Sequence, residues 1–281
     1  MKMSIKRNIG AVVFYTCAII FAVFFLIPLW MMIVGAFSTT EGAYSSQARF
    51  FPDPINWNWD SMMSMVKTPT IGVAFLNTIK LSLSAIPLIF FSALGAFALA
   101  RLRAPGKDFI FVGILAVMML PWVVTLIPSF LVYSHLGWLN TFLPFYLPTI
   151  AGSAFFIFLL RQFMRSIPRD FDESARIDGC STFRIFWNIM LPLCKPSLAA
   201  VTIFAFIDRW NDYMGPLIYL RSANNFTLSL AIMNLRYSKL QMTYWEVIMF
   251  TTLFATIPLM IIFFCLQKYI VKGVVMSGIK G

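Results

Sequence analysis

Residues 8–40 contain no charged side chain. A run of that length exceeds the roughly 20 apolar residues that an α-helix needs to cross a bilayer, and it is too long for the 7–15-residue apolar core of a cleaved signal peptide. Comparable runs recur down the chain. Charged residues make up only 12% of the 281 positions and the mean hydropathy is +0.81, whereas a soluble domain carries about 25% charged residues. A transmembrane barrel would alternate apolar and polar residues in strands of about ten, and no segment here does so. The chain is therefore expected to be an all-α integral membrane protein.

The apolar runs predict six transmembrane helices in one domain covering 1–281. They span residues 9–37, 71–100, 109–133, 142–163, 196–220 and 247–267. Pro121 and Pro128 fall inside the third and permit kinks there. Gly95, Ala96, Ala98 and Ala100 give the second a small-residue surface that another helix can approach. Basic residues set the orientation. Lys2, Lys6, Arg7, Arg101, Arg103, Lys107, Arg161, Arg165, Arg169, Arg176, Arg184, Lys195, Lys268, Lys272 and Lys280 flank one side, fifteen in all. Arg49, Lys67, Arg221, Arg236 and Lys239 flank the other. This bias places both termini in the cytoplasm. The net charge of +11 thus belongs to membrane-flanking connections facing anionic lipid, and no nucleic-acid partner is expected.

One stretch is polar. The loop 166–196 holds Asp170, Asp172, Glu173 and Asp178, four of the eleven acidic residues. Pro168 suits a helix start, and the three acids that follow sit favourably at the positive end of the helix dipole. Phe171, Ser174, Ala175 and Asp178 share helical spacing. Gly179 can take the left-handed conformation that stops a helix, and Ser181 can cap the next one. Two short helices joined by a glycine turn are expected, outside the membrane on the cytoplasmic side.

Glu173-Ser174-Ala175, three residues, Gly179, nine residues and Ile189-Met190-Leu191-Pro192 resemble the "EAA" loop of ABC importer permeases. Ser174 in place of the first alanine is the one departure. Arg176-Ile177-Asp178-Gly179 is further similar to the sugar-importer branch, as are the stretch Phe51–Trp59 and the turn 134–141. The resemblance implies an inner-membrane permease of a bacterial importer for a mono- or oligosaccharide, with 166–196 as a coupling helix loop between helices 4 and 5. Glu173, Ser174, Ala175, Arg176, Asp178 and Gly179 are its coupling residues. It also implies partners: an ABC ATPase dimer, a second, non-identical permease and an extracytoplasmic solute-binding protein. The chain has no Gly-x-x-x-x-Gly-Lys-Ser/Thr phosphate loop, so ATP and its Mg are expected on the partner ATPase and no cofactor on this chain.

A second polar cluster interrupts the fifth helix: Asp208, Arg209, Trp210, Asn211, Asp212 and Tyr213. Charges in a membrane segment are costly, so they pair, face water or mark a pathway. Arg209 and Asp212 are spaced to pair on one helix face. The Trp-Asn-acid-aromatic order resembles that of the sugar permeases, and the cluster is read either as a pore or substrate contact or as a structural break. Trp59 is read as an interfacial anchor, with sugar stacking as the alternative. The tail 268–281 is similar to the family's Gly-rich C-terminal segment, with Gly273, Gly278 and Gly281 expected to keep it supple; the alternative is a basic tail held at anionic lipid headgroups.

Catalysis has little material. His135 is the only histidine and is assigned to a loop. Cys17, Cys180, Cys194 and Cys265 form no CxxC pair, so no metal site or disulfide is expected. Asp208 and Asp212 are the only acidic pair at helical spacing within the apolar runs, so an intramembrane enzyme is disfavoured. The remaining alternatives are an ion-coupled secondary carrier working without an ATPase, and an ABC permease for a non-sugar solute such as glycerol phosphate.

Overall fold

The computed structural model describes residues 2–38, 59, 63, 69–237 and 245–278. Every regular element among them is helical. Four helices are long and apolar enough to cross a membrane, or up to six if each of two bent pairs forms one span. The stretch carrying Arg49, Phe51, Trp57 and Lys67 lies outside the described residues, as do Lys239 and 279–281. The described residues fall into two compact units, 1–71 with 232–257 and 72–231 with 258–281.

In the first unit, α1 covers Lys2–Phe37 and contains Pro28. Its apolar span, Ala11–Phe37, is exposed over nearly all of its length, as suits a helix that meets lipid or another chain. Only its end is packed: Val34 and Ala36 are buried. The Phe37 ring lies edge-on to Trp59 at 5.5 Å and to Phe250 at 6.0 Å, so Trp59 has an aromatic partner within its own unit.

The second unit holds the core. Helices α2 (Pro69–Leu83, its first residues in the other unit) and α3 (Ala85–Arg101) form one span, Thr70–Arg101. They join at Ser84, where Pro87 cannot donate the bond that the Leu83 carbonyl needs. Of the small residues expected to admit another helix, Ala96 and Ala100 are buried and Gly95 lies against Ile157, while Ala98 is half-buried. The expected third helix is two, α4 (Lys107–Met118) and α5 (Trp122–His135), bent by 97°. The break falls at Pro121, whose φ of −61° and ψ of 133° are extended. Pro128 lies inside α5. His135 ends α5 rather than lying in a loop, because the helical bonding continues through Leu136 N–H to Val132 O.

The expected fourth helix is also interrupted. A one-turn helix, Leu143–Tyr146, and a 3-10 turn, Leu147–Ala151, precede Gly152, and only then does α6 (Ala154–Ser166) begin. Pro144 and Pro148 remove donors that a continuous helix needs, and Gly152 is extended with a positive φ of 72°. Next come α7 (Asp170–Ile177) and α8 (Thr182–Ile185), the two short helices foreseen from the polar loop. Ser181 caps α8, its Oγ accepting from Arg184 N–H at 3.3 Å. A π-helical turn, Phe186–Met190, follows just ahead of Pro192. The chain then bends by 82° into α9 (Lys195–Trp210). The apolar centre of the unit joins α3 and α6 to this segment through Leu160, Met164, Phe186 and Met190, all fully buried.

The expected fifth helix stops at Trp210 and resumes as α10 (Met214–Tyr219). Helices α11 (Leu228–Tyr237) and α12 (Trp245–Gly278) each run from one unit into the other. α12 continues to Gly278 instead of ending at 267, because no proline or cap stops it after Pro258 and a single glycine costs a helix only about 1 kcal/mol. The tail expected to be supple is therefore helical as far as Gly278.

Asn140, at φ 60°, ties the turn after α5 to the segment after α10. Its Oδ1 accepts from Arg221 N–H (3.0 Å), Ser222 N–H (3.0 Å), Ser222 Oγ (2.9 Å) and Asn225 Nδ2 (3.2 Å). Asn140 N–H donates to Tyr219 O at 2.7 Å. On α2, Asn77 Nδ2 donates to Asn224 O and Phe226 O, and Thr78 Oγ1 accepts from Leu228 N–H. Asn140→Ala removes one acceptor from several donors and adds left-handed strain. A loss of about 2 kcal/mol is expected, since one stranded donor costs about 1–3 kcal/mol. The melting midpoint of the purified protein in detergent checks it, and an unchanged midpoint would refute the role of Asn140 as a tie.

Candidate functional site

Two polar sites stand out against the apolar helices. The first is α7 with its turn. Asp170, Asp172 and Glu173 occupy the first turn of α7, where the unpaired N–H groups favour negative charge. The end of the helix is a Schellman cap: Cys180 N–H donates to Ala175 O at 2.9 Å and Gly179 N–H to Arg176 O at 3.0 Å. Gly179 has a φ of 76°. An added Cβ there would meet nothing within 4 Å, so glycine is required by backbone conformation and not by crowding.

The inner face of α7 differs from the face that the spacing suggests. Asp172 and Ala175 are the buried pair, each 5% exposed, while Phe171, Ser174 and Asp178 are exposed. The choice is made by what lies beneath. Ala175 belongs to the buried core that includes Met164 and Phe186, and Asp172 finds a cation. Asp172 Oδ2 is 3.3 Å from Arg101 Nη1, and both side chains are almost inaccessible. Arg101 Nη2 also donates to Met164 O at 2.6 Å and Ile167 O at 2.8 Å. One guanidinium thus joins the end of α3, the end of α6 and the start of α7. Glu173, Ser174, Arg176, Asp178 and Gly179 remain exposed next to Phe171 and Ile177, the latter 87% exposed. An outer face of this kind, charged with apolar residues set among the charges, suits a protein partner.

A second basic residue stands nearby. Arg161 is buried, its guanidinium 3.6 Å from the Phe111 ring centroid and 3.7 Å from Asp108 Oδ1. It fastens α4 to α6 through a cation–π contact.

The second site is a concavity of about 690 Å³ beside the break between α9 and α10. Asp208, Arg209, Asn211, Asp212 and Tyr213 line it from one side. Trp122, Thr125 and Ser129 of α5 line it from the other. Asp208 and Arg209 also line an adjoining concavity of about 470 Å³, which reaches the Gly152 break. Arg209 and Asp212 do not pair: Asp212 Oδ1 instead accepts from Gly215 N–H at 3.0 Å, which secures the first turn of α10. Trp210 is set apart from its neighbours. It is buried, stacks on Phe206 at 5.4 Å and meets Phe75 edge-on at 5.8 Å. It lines a separate, apolar groove. With its ring covered in this way, Trp210 presents no stacking face to the polar concavity.

Of the site residues that the spacing arguments did not select, one set carries a signal in the sequence. Thr125 and Ser129 lie four apart just after Pro121 in an otherwise apolar helix, a polar stripe on one face. The Arg101–Asp172 pair had no local signal, because its members are far apart in sequence.

A family model described as binding-protein-dependent transport system inner membrane component matches residues 85–276. The chain is 31% identical over 262 residues to the arabinooligosaccharides transport system permease protein AraQ of Bacillus subtilis, covering 92% of this chain and 91% of that protein. It is 28% identical over 278 residues to the lactose transport system permease protein LacG of Rhizobium radiobacter, covering 99% of each. Among solved structures it is similar to a chain of a bacterial ABC transporter involved in the import of the acidic polysaccharide alginate. That match has a TM-score of 0.79 and 26% identity, and covers 93% of this chain and 96% of the other.

Proposed function

Because this chain belongs to the family of binding-protein-dependent transport system inner membrane components, we propose that it forms part of the translocation pore of an ATP-driven importer for a mono- or oligosaccharide, with α7 as the helix that couples the pore to an ATPase. It is a transport subunit of the inner membrane and not an enzyme. The observation that carries the coupling assignment is the packing of α7. Its inner face is locked into the core by Asp172 and Ala175, while Glu173, Arg176, Phe171 and Ile177 stay uncovered. A rigid, half-dressed helix transmits movement as a body.

In this reading the six spans form one permease domain with both termini in the cytoplasm, the side favoured by the basic residues. An ATPase dimer binds ATP and Mg and receives α7 in a cleft. A second, non-identical permease completes the pore, and an extracytoplasmic binding protein delivers the sugar. ATP shifts the pore between inward- and outward-open arrangements only to the extent that it favours one of them. The carbohydrate class is supported by the named cargoes of the relatives and by the lining of the 690 Å³ concavity. Carboxylate, guanidinium and carboxamide groups there offer donors and acceptors to hydroxyls. Co-purification from native membranes tests the assembly. Recovery of an ABC ATPase, a second permease and a binding protein is the expected result. Recovery of this chain alone, still catalysing uptake without ATP, would leave the reading without support.

Asp208→Ala tests the concavity. Asp208 is exposed on its wall, so the melting midpoint should hold while the uptake rate falls about tenfold, the effect of losing one charged hydrogen bond of about 1.5 kcal/mol. Unchanged rate and unchanged sugar selectivity would argue against substrate contact.

A further inference from the structure

The coupling assignment leaves open how a helix eight residues long moves the transmembrane spans, and the answer rests on that assignment. α7 is attached to its neighbours in sequence by Ile167–Arg169 on one side and the Gly179 turn on the other. A helix held only by these two connections would swivel under load and transmit little. The structure offers a rigid alternative at one place. Arg101, the last residue of α3, is 5% exposed. Its Nη1 faces Asp172 Oδ2 at 3.3 Å, and its Nη2 donates to the carbonyls of Met164 and Ile167.

We infer that Arg101 is a positioning residue for energy coupling, a clamp that fixes α7 to the ends of α3 and α6 so that force on the loop is delivered to two spans at once. The chemistry suits arginine in particular. The planar guanidinium projects donors along separate edges, so a carboxylate and two backbone carbonyls can be held together with fixed directions. Met164 O belongs to the last turn of α6, where it also accepts from Ile167 N–H at 3.3 Å, and Ile167 is the residue that ends that helix; a cation there matches the negative end of the dipole. Asp172 stands in the first turn of α7, at the positive end of that dipole. The guanidinium therefore bridges the terminus of one helix and the start of another, both of which the local charges favour. A buried ion pair of this type is weak evidence for added stability. Its value here is geometric, because three elements are held through one rigid group. No other ionic contact among the described residues reaches α7: the remaining ion pair, Arg161–Asp108, joins α6 to α4.

Three variants in the assembled transporter, reconstituted in vesicles with its ATPase and binding protein, test the clamp. Arg101→Lys keeps the charge and loses the fork. Asp172→Asn keeps the shape and loses the charge. The double variant Arg101→Met/Asp172→Leu removes both charges, so no unpaired ion is left buried, and its assembly level is measured alongside. Sugar transported and ATP hydrolysed are measured together. The expected result is assembly at the normal level with at least a tenfold drop in sugar moved per ATP hydrolysed for the double variant, and a smaller drop for Arg101→Lys. A double variant that transports with the unaltered ratio would overturn the clamp, because a purely structural pair can be replaced by apolar side chains. Asp170→Cys, exposed in the first turn of α7, cross-linked to the ATPase separates the two readings. Cross-linking together with an unaltered ratio defeats the clamp alone. Failure to cross-link to the ATPase at any step of the cycle defeats the coupling assignment and the clamp with it.

Discussion

Replacing Gly179 by valine is expected to reduce ATP-driven uptake by at least tenfold while the chain still reaches the membrane. Gly179 sits at a φ of 76° in the turn that ends α7. A left-handed residue with a Cβ costs about 1–2 kcal/mol, and a β-branched one is a genuine outlier there. No neighbouring atom lies within 4 Å of the added Cβ, so the penalty is all in the backbone. The simplest relief is to unwind the cap. That breaks the Cys180 N–H bond to Ala175 O and the Gly179 N–H bond to Arg176 O, and it frees the end of α7 from the turn that aims it. Gly179→Asn separates conformation from bulk, since asparagine enters the left-handed region more readily. It should keep most of the uptake. Normal uptake by Gly179→Val at a normal level of expression would remove the turn from the mechanism.

Gly152→Val is expected to fail earlier, in folding. Gly152 has a φ of 72° and a ψ of 178°, a region occupied essentially by glycine alone and costing other residues about 1–3 kcal/mol. Here space is also lacking. An added Cβ would lie 3.2 Å from the backbone N and Cα of Ser92 on α3. The close approach has a purpose: Ser92 Oγ accepts from Ser153 N–H at 2.8 Å while donating to Leu88 O at 2.6 Å, which serves a backbone donor left over by the break before α6. Strain and crowding together should cost roughly 3 kcal/mol or more, a large share of the 5–15 kcal/mol that holds a typical domain. A sharp drop in the yield of protein that remains monodisperse in mild detergent is the readout. Gly113→Ala is the control. It lies within α4 with nothing near its Cβ, and alanine in a helix is better than glycine by about 0.5–1 kcal/mol. Equal yields for Gly152→Val and Gly113→Ala would refute the argument.

The helical class and the helix–glycine turn–helix of the polar loop were legible in the residues, because each depends on neighbours close in sequence. Charge-free runs specify helices in lipid, where every backbone group must be satisfied within the segment. Ser181 capped the helix it was expected to cap, and Gly179 took the conformation expected of it. Proline positions warned of breaks, and Pro121 produced one. The interruption at Gly152 was missed for an instructive reason. The run 142–163 is apolar enough to read as continuous, and hydropathy is blind to a chain that changes from one-turn helix to 3-10 turn to α-helix without losing apolar character.

The candidate sites divide along the same line. Composition alone marked 208–213 as anomalous within an apolar helix. It could not assign a direction to each side chain. Helical spacing suggested an Arg209–Asp212 pair, but the helix ends at Trp210, so that spacing no longer holds, and Asp212 turns to the N–H of Gly215. Trp210 points to Phe75 and Phe206, away from the polar wall on which its neighbours lie.

The sequence by itself determined the class of structure, the glycine turn of the polar loop and the family motif, since propensity, capping and spacing act over a few residues. Only the tertiary structure decided that Asp172 is the buried acid of the loop, that Arg101 is its partner, that Asn140 ties the turn after α5 to the segment after α10, and that Ser92 and Gly152 let two spans touch. The physical reason is common to all four. A polar group removed from water must find its complement wherever packing places one, and packing is settled by how whole helices fit together, which no local stretch of residues specifies.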